Sequence, residues 1–159
     1  MLKQMMLYTA LIGAVVSGSA SASSVGYGTA DEARAMLIRA IVEVKTDKAR
    51  AIAKFNHNDR QFRDRDLFVF CFDGQDGKFT AHEAMVGADV RTFRDRTGRS
   101  FGDQMYQNAK DDQVVEVAFM APVPGSTEQA PKRSYVTRIG DQVCGVSAYR
   151  LNGSGEPTQ

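Results

Sequence analysis

The stretch from Leu67 to His82, LFVFCFDGQDGKFTAH, limits the fold more than any other part of the chain. Leu67 to Phe72 are six apolar residues in a row, mostly aromatic or β-branched. The run is short enough for a strand and too apolar for a strand exposed on both faces. Asp73-Gly74-Gln75-Asp76-Gly77 follows. Its two glycines tolerate positive φ, and its two Asp side chains can bond their own backbone, so the segment reads as a turn. Lys78 to His82 then returns as a second strand, ending on one of only two histidines in the chain. A β-hairpin with a buried first strand needs more sheet beside it and a layer to cover it.

The first 22 residues are set apart from that fold. Lys3 is the only charge before Asp31, Met5 to Val16 is mostly apolar, and Ala20 and Ala22 stand in a run of small residues. This is the pattern of a secretory signal peptide, and an apolar part of about 12 residues falls short of the roughly 20 that a spanning helix needs. The expectation is a mature chain starting near Ser23, periplasmic or secreted, with residues 23–28 as a linker. With Lys3 set aside, 19 basic residues face 19 acidic ones. That balance gives no reason to expect nucleic acid or an anionic membrane as partner. The chain of 159 residues fits one domain. Its two cysteines, Cys71 and Cys144, fall in two different predicted strands. In an oxidising compartment they are either a disulfide or two buried thiols.

Thr29-Ala30-Asp31-Glu32 is a capping box, and a long helix is expected from Ala30 to Phe55. Its apolar stripe is Ala33, Leu37, Ile41, Val44, Ala51 or Ile52, and Phe55, with dense charge on the other face. A helix of that length outreaches a small sheet, so its first half either lies along the domain or pairs with a second copy. Gln61 to Asp66 alternates Arg and Asp around Phe62 and reads as a solvated connection. After the hairpin, Glu83 to Gly102 is loop-rich, and Phe101 to Ala109 is a short helix. Strands are expected at Val114–Met120, Ser134–Ile139 and Gln142–Arg150, with Ala121 to Pro131 as a long hairpin loop. Leu151 to Gln159, rich in Gly, Ser and Pro, is expected to be a disordered tail. Helices gathered apart from runs of strands indicate an α+β domain on an antiparallel sheet, with a loop-rich cover over the face opposite the helix. Such a cover is a natural site for a small pocket.

Catalytic patterns come close and fail. His82-Glu83 opens like a zinc-protease H-E-x-x-H, but the fifth residue is Val86. Gly145-Val146-Ser147-Ala148-Tyr149 starts like a nucleophile elbow but lies inside a strand and ends on Tyr. Asp73 to Gly77 resembles a calcium loop, yet Ala84 stands where the twelfth-position Glu is needed. No catalytic residue, metal ligand or cofactor is assigned, and the chain is not read as an enzyme. The remaining chemistry is binding. His82 stands where the second strand enters the cover, either as a donor into a pocket or as a structural histidine. Lys132 either meets a carboxylate as a point charge or is solvated. Tyr135, Tyr149, Phe101 and Met105 are either core or pocket wall.

From Thr29 to Arg150 the order of these features resembles the single Cache domains of type 2, the extracytoplasmic PAS-like sensor modules of bacterial chemoreceptors and kinases. The resemblance is carried by Asp66-Leu67-Phe68-Val69-Phe70, Asp73, Asp76-Gly77, Ala81-His82, Val86-Gly87 with Asp89, Thr97-Gly98, Phe101 with Met105, Pro131-Lys132 with Ser134-Tyr135-Val136, and Val143 with Gly145 and Tyr149. It implies one domain over 29–150, with a long N-terminal helix packed on a five-stranded antiparallel PAS-like sheet and a small-molecule pocket on the other face. It implies a short organic acid as ligand (acetate, propionate, pyruvate or lactate). His82 and Lys132 would be the polar contacts, and Phe101, Met105 and Tyr135 the walls. Strand alternation sets Lys132 and Tyr135 on opposite faces unless the strand begins after Lys132. The resemblance also puts Cys71 and Cys144 in neighbouring strands, which favours their disulfide. Family receptors continue into a transmembrane helix, whereas this sequence reads on only to Gln159. The expectation is a free-standing exported sensor domain without its own signalling output, serving a membrane receptor or kinase and able to form a homodimer through its long helix. The alternative is a protein-interaction module that docks through that helix, its pocket unused.

Overall fold

The computed structural model describes residues 26–158. The expected signal peptide, residues 1–22, lies outside them. The chain runs α1 (Ala30–Thr46), α2 (Lys48–Asn56), β1 (Arg63–Asp64), β2 (Leu67–Asp73), β3 (Phe79–Ala81), a 3-10 turn at Val90–Thr92, α3 (Phe101–Asn108), β4 (Val115–Pro122), β5 (Gln129–Ile139) and β6 (Gln142–Tyr149).

The capping box forms as the sequence indicates: Thr29 Oγ1 accepts from the Glu32 amide, and Glu32 accepts from the Thr29 amide at 2.8 Å. The single helix expected over Ala30–Phe55 is instead two. Asp47 leaves the helical region (φ −157°), ends α1 and caps α2, its side chain accepting from the Arg50 amide at 3.0 Å. An Asp side chain that bonds nearby backbone amides favours a cap over a helix interior, and here that preference wins. Glu43 fastens the two helices together by pairing with Arg50 and Lys54. α1 turns Ala33, Met36, Leu37, Ala40 and Val44 inward, and α2 turns in Ala51 and Phe55. Ile41 and Ile52 are only partly buried. Ile38 and Val42 stay exposed on the outer face of α1.

Every pairing within the sheet is antiparallel, in the order β1-β2-β6-β5-β4, with β3 also on β2. The five expected strands are present, and the two-residue β1 adds a sixth. The hairpin turn closes as its composition predicts: Asp73 Oδ1 accepts from the Gln75 and Asp76 amides, and Gly77 takes φ +75°. Cys71 and Cys144 are directly opposed across β2 and β6, with Cα atoms 4.0 Å apart and a disulfide between them. The tail expected to be unstructured carries a turn, with Asn152 Oδ1 accepting from the Ser154 and Glu156 amides and Leu151 bridging to Pro157. Asn supplies this kind of local acceptor.

Strand alternation sends the two sets of side chains to different layers. Leu67, Val69, Cys71, Tyr135, Cys144, Val146 and Ala148 pack with the helices. Phe70, Phe72, Phe79, Val117, Val136 and Val143 pack with Val90 and Met105 under the cover. Gly145 lies opposite Phe70, and a Cβ there would come within 2.6 Å of the Phe70 ring. The absence of a side chain at 145 therefore gives Phe70 its place on the covered face.

Candidate functional site

The Phe-rich face of the sheet does not close against its cover. A cavity of about 640 Å³ lies between them, bounded below by β2, β5 and β6, and above by His82–Met85, Val90, Phe93 and α3. The segment Gly26–Tyr27 forms one side. Its walls are mostly aromatic. Phe101 stacks on Phe119 with ring centroids 4.2 Å apart, while Phe93 meets Phe79 and Phe101 edge-on. Met105, on the buried side of α3, fills the wall between them. These rings and the irregular cover leave room between sheet and cover.

Four polar features break this apolar surface. The first is Lys132 on β5. Its side chain is 12% exposed, its Nζ lies 4.1 Å from the centroid of the Tyr149 ring, and Asp66 Oδ2 stands 3.8 Å away. That distance permits attraction but exceeds hydrogen-bond length. Among the described residues, Lys132 Nζ makes no hydrogen bond. Burial lowers the Lys132 pKa, and the nearby Asp66 and Glu83 charges only partly offset it.

The second feature is Asp66, the residue before β2. Its Oδ1 accepts from the Gly28 amide at 2.6 Å. Its Oδ2 is enclosed and has no hydrogen-bond partner among the described residues. Burial pushes its pKa up, against the pull of the Gly28 amide and of Lys132. Thus both members of this pair are pressed toward neutrality by the same dry surroundings, as burial of an imperfectly bonded ion pair requires. Gly28 reaches Asp66 because it crosses tightly over Leu67, where a Cβ would lie 2.2 Å from the Leu67 side chain.

The third is His82. Its Nδ1 accepts from the Ala84 amide at 3.1 Å, which places the ring proton on Nε2. Phe68 and Phe79 meet the ring edge-on at 5.2 and 4.9 Å, and burial holds its pKa below the usual value. His82 is therefore a neutral imidazole whose remaining N–H is a donor. The fourth is the pair Ser134–Ser147, opposed across β5 and β6 with hydroxyls 2.6 Å apart on the cavity floor. Beside these, Glu83 is held by Arg63 at 2.7 Å. Tyr149 gives its hydroxyl to the Pro122 carbonyl, and burial pushes its pKa up to about 12.

His82, Lys132, Phe101 and Met105, named from the sequence, thus line one cavity. Tyr135 does not. β5 begins at Gln129 rather than after Pro131, so Lys132 lies inside the strand and alternation turns Tyr135 to the helix face. There Arg34 stacks over its ring at 4.4 Å. Tyr149, two strand positions from Ser147 on the cavity side, supplies the tyrosine wall instead. Asp66 was hidden in the sequence because it ends an Arg/Asp alternation that reads as solvated. The one signal for it was its position immediately before a strand too apolar to be exposed. Among the described residues, no group of three or more His, Cys, Asp or Glu side chains is placed to hold a metal ion.

No family model matches the sequence, and no curated protein matches it. Solved structures do match in shape. One, described as the periplasmic sensor domain of a chemotaxis protein, superposes with a TM-score of 0.53 at 21% identity, over 75% of this chain and 88% of that one. Another, a Cache chemosensory domain described for its carboxylic acid recognition, gives a TM-score of 0.52 at 16% identity, over 75% and 86%. The helices on one face, the antiparallel PAS-like sheet and the covered cavity on the other face are the fold of a Cache sensor domain, and this chain has that fold.

Proposed function

We propose that this chain is an extracytoplasmic sensor-type domain, of the type 2 single Cache kind, whose cavity binds a short organic acid. The observation that carries the reading is Lys132: a buried ammonium on the wall of an aromatic cavity, without a hydrogen bond to any described residue. A desolvated cation with unmet donors is a strong site for a carboxylate. His82 Nε2–H supplies a second, neutral donor, and the Ser134–Ser147 hydroxyls a third polar contact. Phe101, Met105 and Tyr149 enclose the carbon chain. The solved neighbour that recognises carboxylic acids supports the ligand class, and the periplasmic one supports the location.

Thermal denaturation with acetate, propionate, lactate and pyruvate tests this. Saturation at 100 times Kd stabilises the fold by about 2.7 kcal/mol. Lys132→Met is expected to abolish the shift while leaving the chain folded. A shift that survives Lys132→Met removes Lys132 from the site, and no shift with any acid removes the ligand class.

A further inference from the structure

We propose that Asp66 makes acid binding by this cavity proton-linked: when a ligand carboxylate takes the Lys132 ammonium, the enclosed Asp66 carboxyl accepts one proton from solvent on Oδ2. The inference deepens the acid-binding reading and rests on it. The geometry is that of one cation between two carboxylates. Asp66 is held ionised chiefly by the Gly28 amide on Oδ1 and the Lys132 ammonium 3.8 Å from Oδ2, with smaller help from its own backbone amide and the charge of Arg65. Oδ2 is walled off, so neither water nor a ligand replaces what it loses when Lys132 turns to a new partner. Two carboxylates sharing one buried ammonium leave a net negative charge in a dry site, and protonating the more enclosed of them removes it.

The surrounding groups leave Asp66 as the proton's place. From β5 it faces Lys132. From β6 it faces Tyr149, whose hydroxyl is committed to the Pro122 carbonyl. The Gly28 amide comes from the N-terminal segment. On its own turn stands Arg65, which pairs with Asp64 and with Glu32 of α1. Elsewhere in the cavity, Glu83 is paired with Arg63. His82 is the other titratable group, and its ring is packed between Phe68 and Phe79. Burial already raises the Asp66 pKa with Lys132 in place, and a ligand carboxylate moves it further in the same direction. In effect the site takes an acid anion together with a proton, which favours monocarboxylates and disfavours dicarboxylates such as succinate.

Isothermal titration of the full exported chain with acetate, propionate, lactate and pyruvate, from pH 5.5 to 8 and in two buffers of different ionisation heat, reads this directly. The expected result is uptake of about one proton per acid bound, with affinity tightening toward about tenfold for each unit the pH falls. Asp66→Asn keeps the acceptor for the Gly28 amide and mimics the protonated acid. It is expected to bind more tightly than wild type at pH 7.5 and to lose the pH dependence. Wild-type binding with no pH dependence overturns the linkage and leaves the acid-binding reading standing. Proton uptake that persists in Asp66→Asn but vanishes in His82→Gln overturns the assignment to Asp66. Failure of every acid to bind both proteins overturns the parent reading and this one with it. Where Asp66→Asn does not fold, the side-chain carboxyl ¹³C shift of Asp66, titrated in wild type with and without propionate, decides: an unchanged midpoint overturns the proposal.

Discussion

The two faces of the one sheet are built from the same strands and differ in almost everything else. The centre of the helix face is small and aliphatic: Ala33, Leu37 and Ala40 of α1 meet Leu67, Val69, Val146, Ala148 and the Cys71–Cys144 bridge, with the rings of Phe55, Phe62 and Tyr135 around them. Its central residues are fully buried against α1, and the open space on this side lies at the start of α1, where Thr29 and Ala30 border Tyr135 and Ala148. The other face is Phe68, Phe70, Phe72 and Phe79 under an irregular cover with one short helix. The loop-rich cover does not close on these rings, and about 640 Å³ remains. A single alternation of residues therefore gives one face to the helices and the other to the cavity.

That contrast can be broken by matched truncations. Leu67 is fully buried beneath the Gly28 crossing. Leu67→Ala is expected to cost about 3–5 kcal/mol, because closely packed surroundings cannot collapse into the space. Phe101→Ala on the cavity wall is expected to cost no more than about 2 kcal/mol, since its ring is partly exposed and already borders open space. Urea denaturation measures both, and equal costs would show that the cavity face is as tightly packed as the helix face. Next in size is the disulfide, which closes a sequence separation of 73 residues. Cys71→Ala with Cys144→Ala is expected to cost about 2–4 kcal/mol, by loosening the unfolded chain's constraint. Mass spectrometry without reductant should show no free thiol in protein purified under oxidising conditions, and two free thiols would remove the bridge from the account.

The same contrast explains what could be read from the sequence. The hairpin, the capping box and the strand set are local or alternating patterns, and such patterns survive into the fold, whereas the pairing of Cys71 with Cys144 was favoured only by the resemblance. The helix break at Asp47 was missed because the apolar stripe runs on across it, while the competing cap is a single side chain. Lys132 was legible as a charge entering a strand. Tyr135 was misplaced because the start of β5 decides its face, and Pro131 made Gln129–Pro131 look like loop. In the structure, Pro131 pairs with Met120 of β4. Asp66 had only its place before an apolar strand as a signal, because its burial depends on Gly28, 38 residues earlier, folding back over Leu67.

The smallest expected effect separates the faces by their response to pH. His82 borders the cavity, and burial holds its pKa below the ordinary value of 6.5. The folded state thus binds fewer protons there than the unfolded chain does. The sign follows from linkage: the contribution of His82 to stability is fully present above pH 6.5 and is lost as pH falls through the depressed folded value. Asp66, its pKa raised by burial, acts the other way, and its contribution is lost as pH rises through its folded value. Between pH 7.5 and 5.5 the His82 contribution to the urea midpoint is expected to fall. His82→Gln should flatten that slope, whereas Tyr135→Phe on the helix face should leave it unchanged. A slope that survives His82→Gln would mean that the ring is solvated, and the cavity's second donor would then have to be sought elsewhere than at the end of the hairpin.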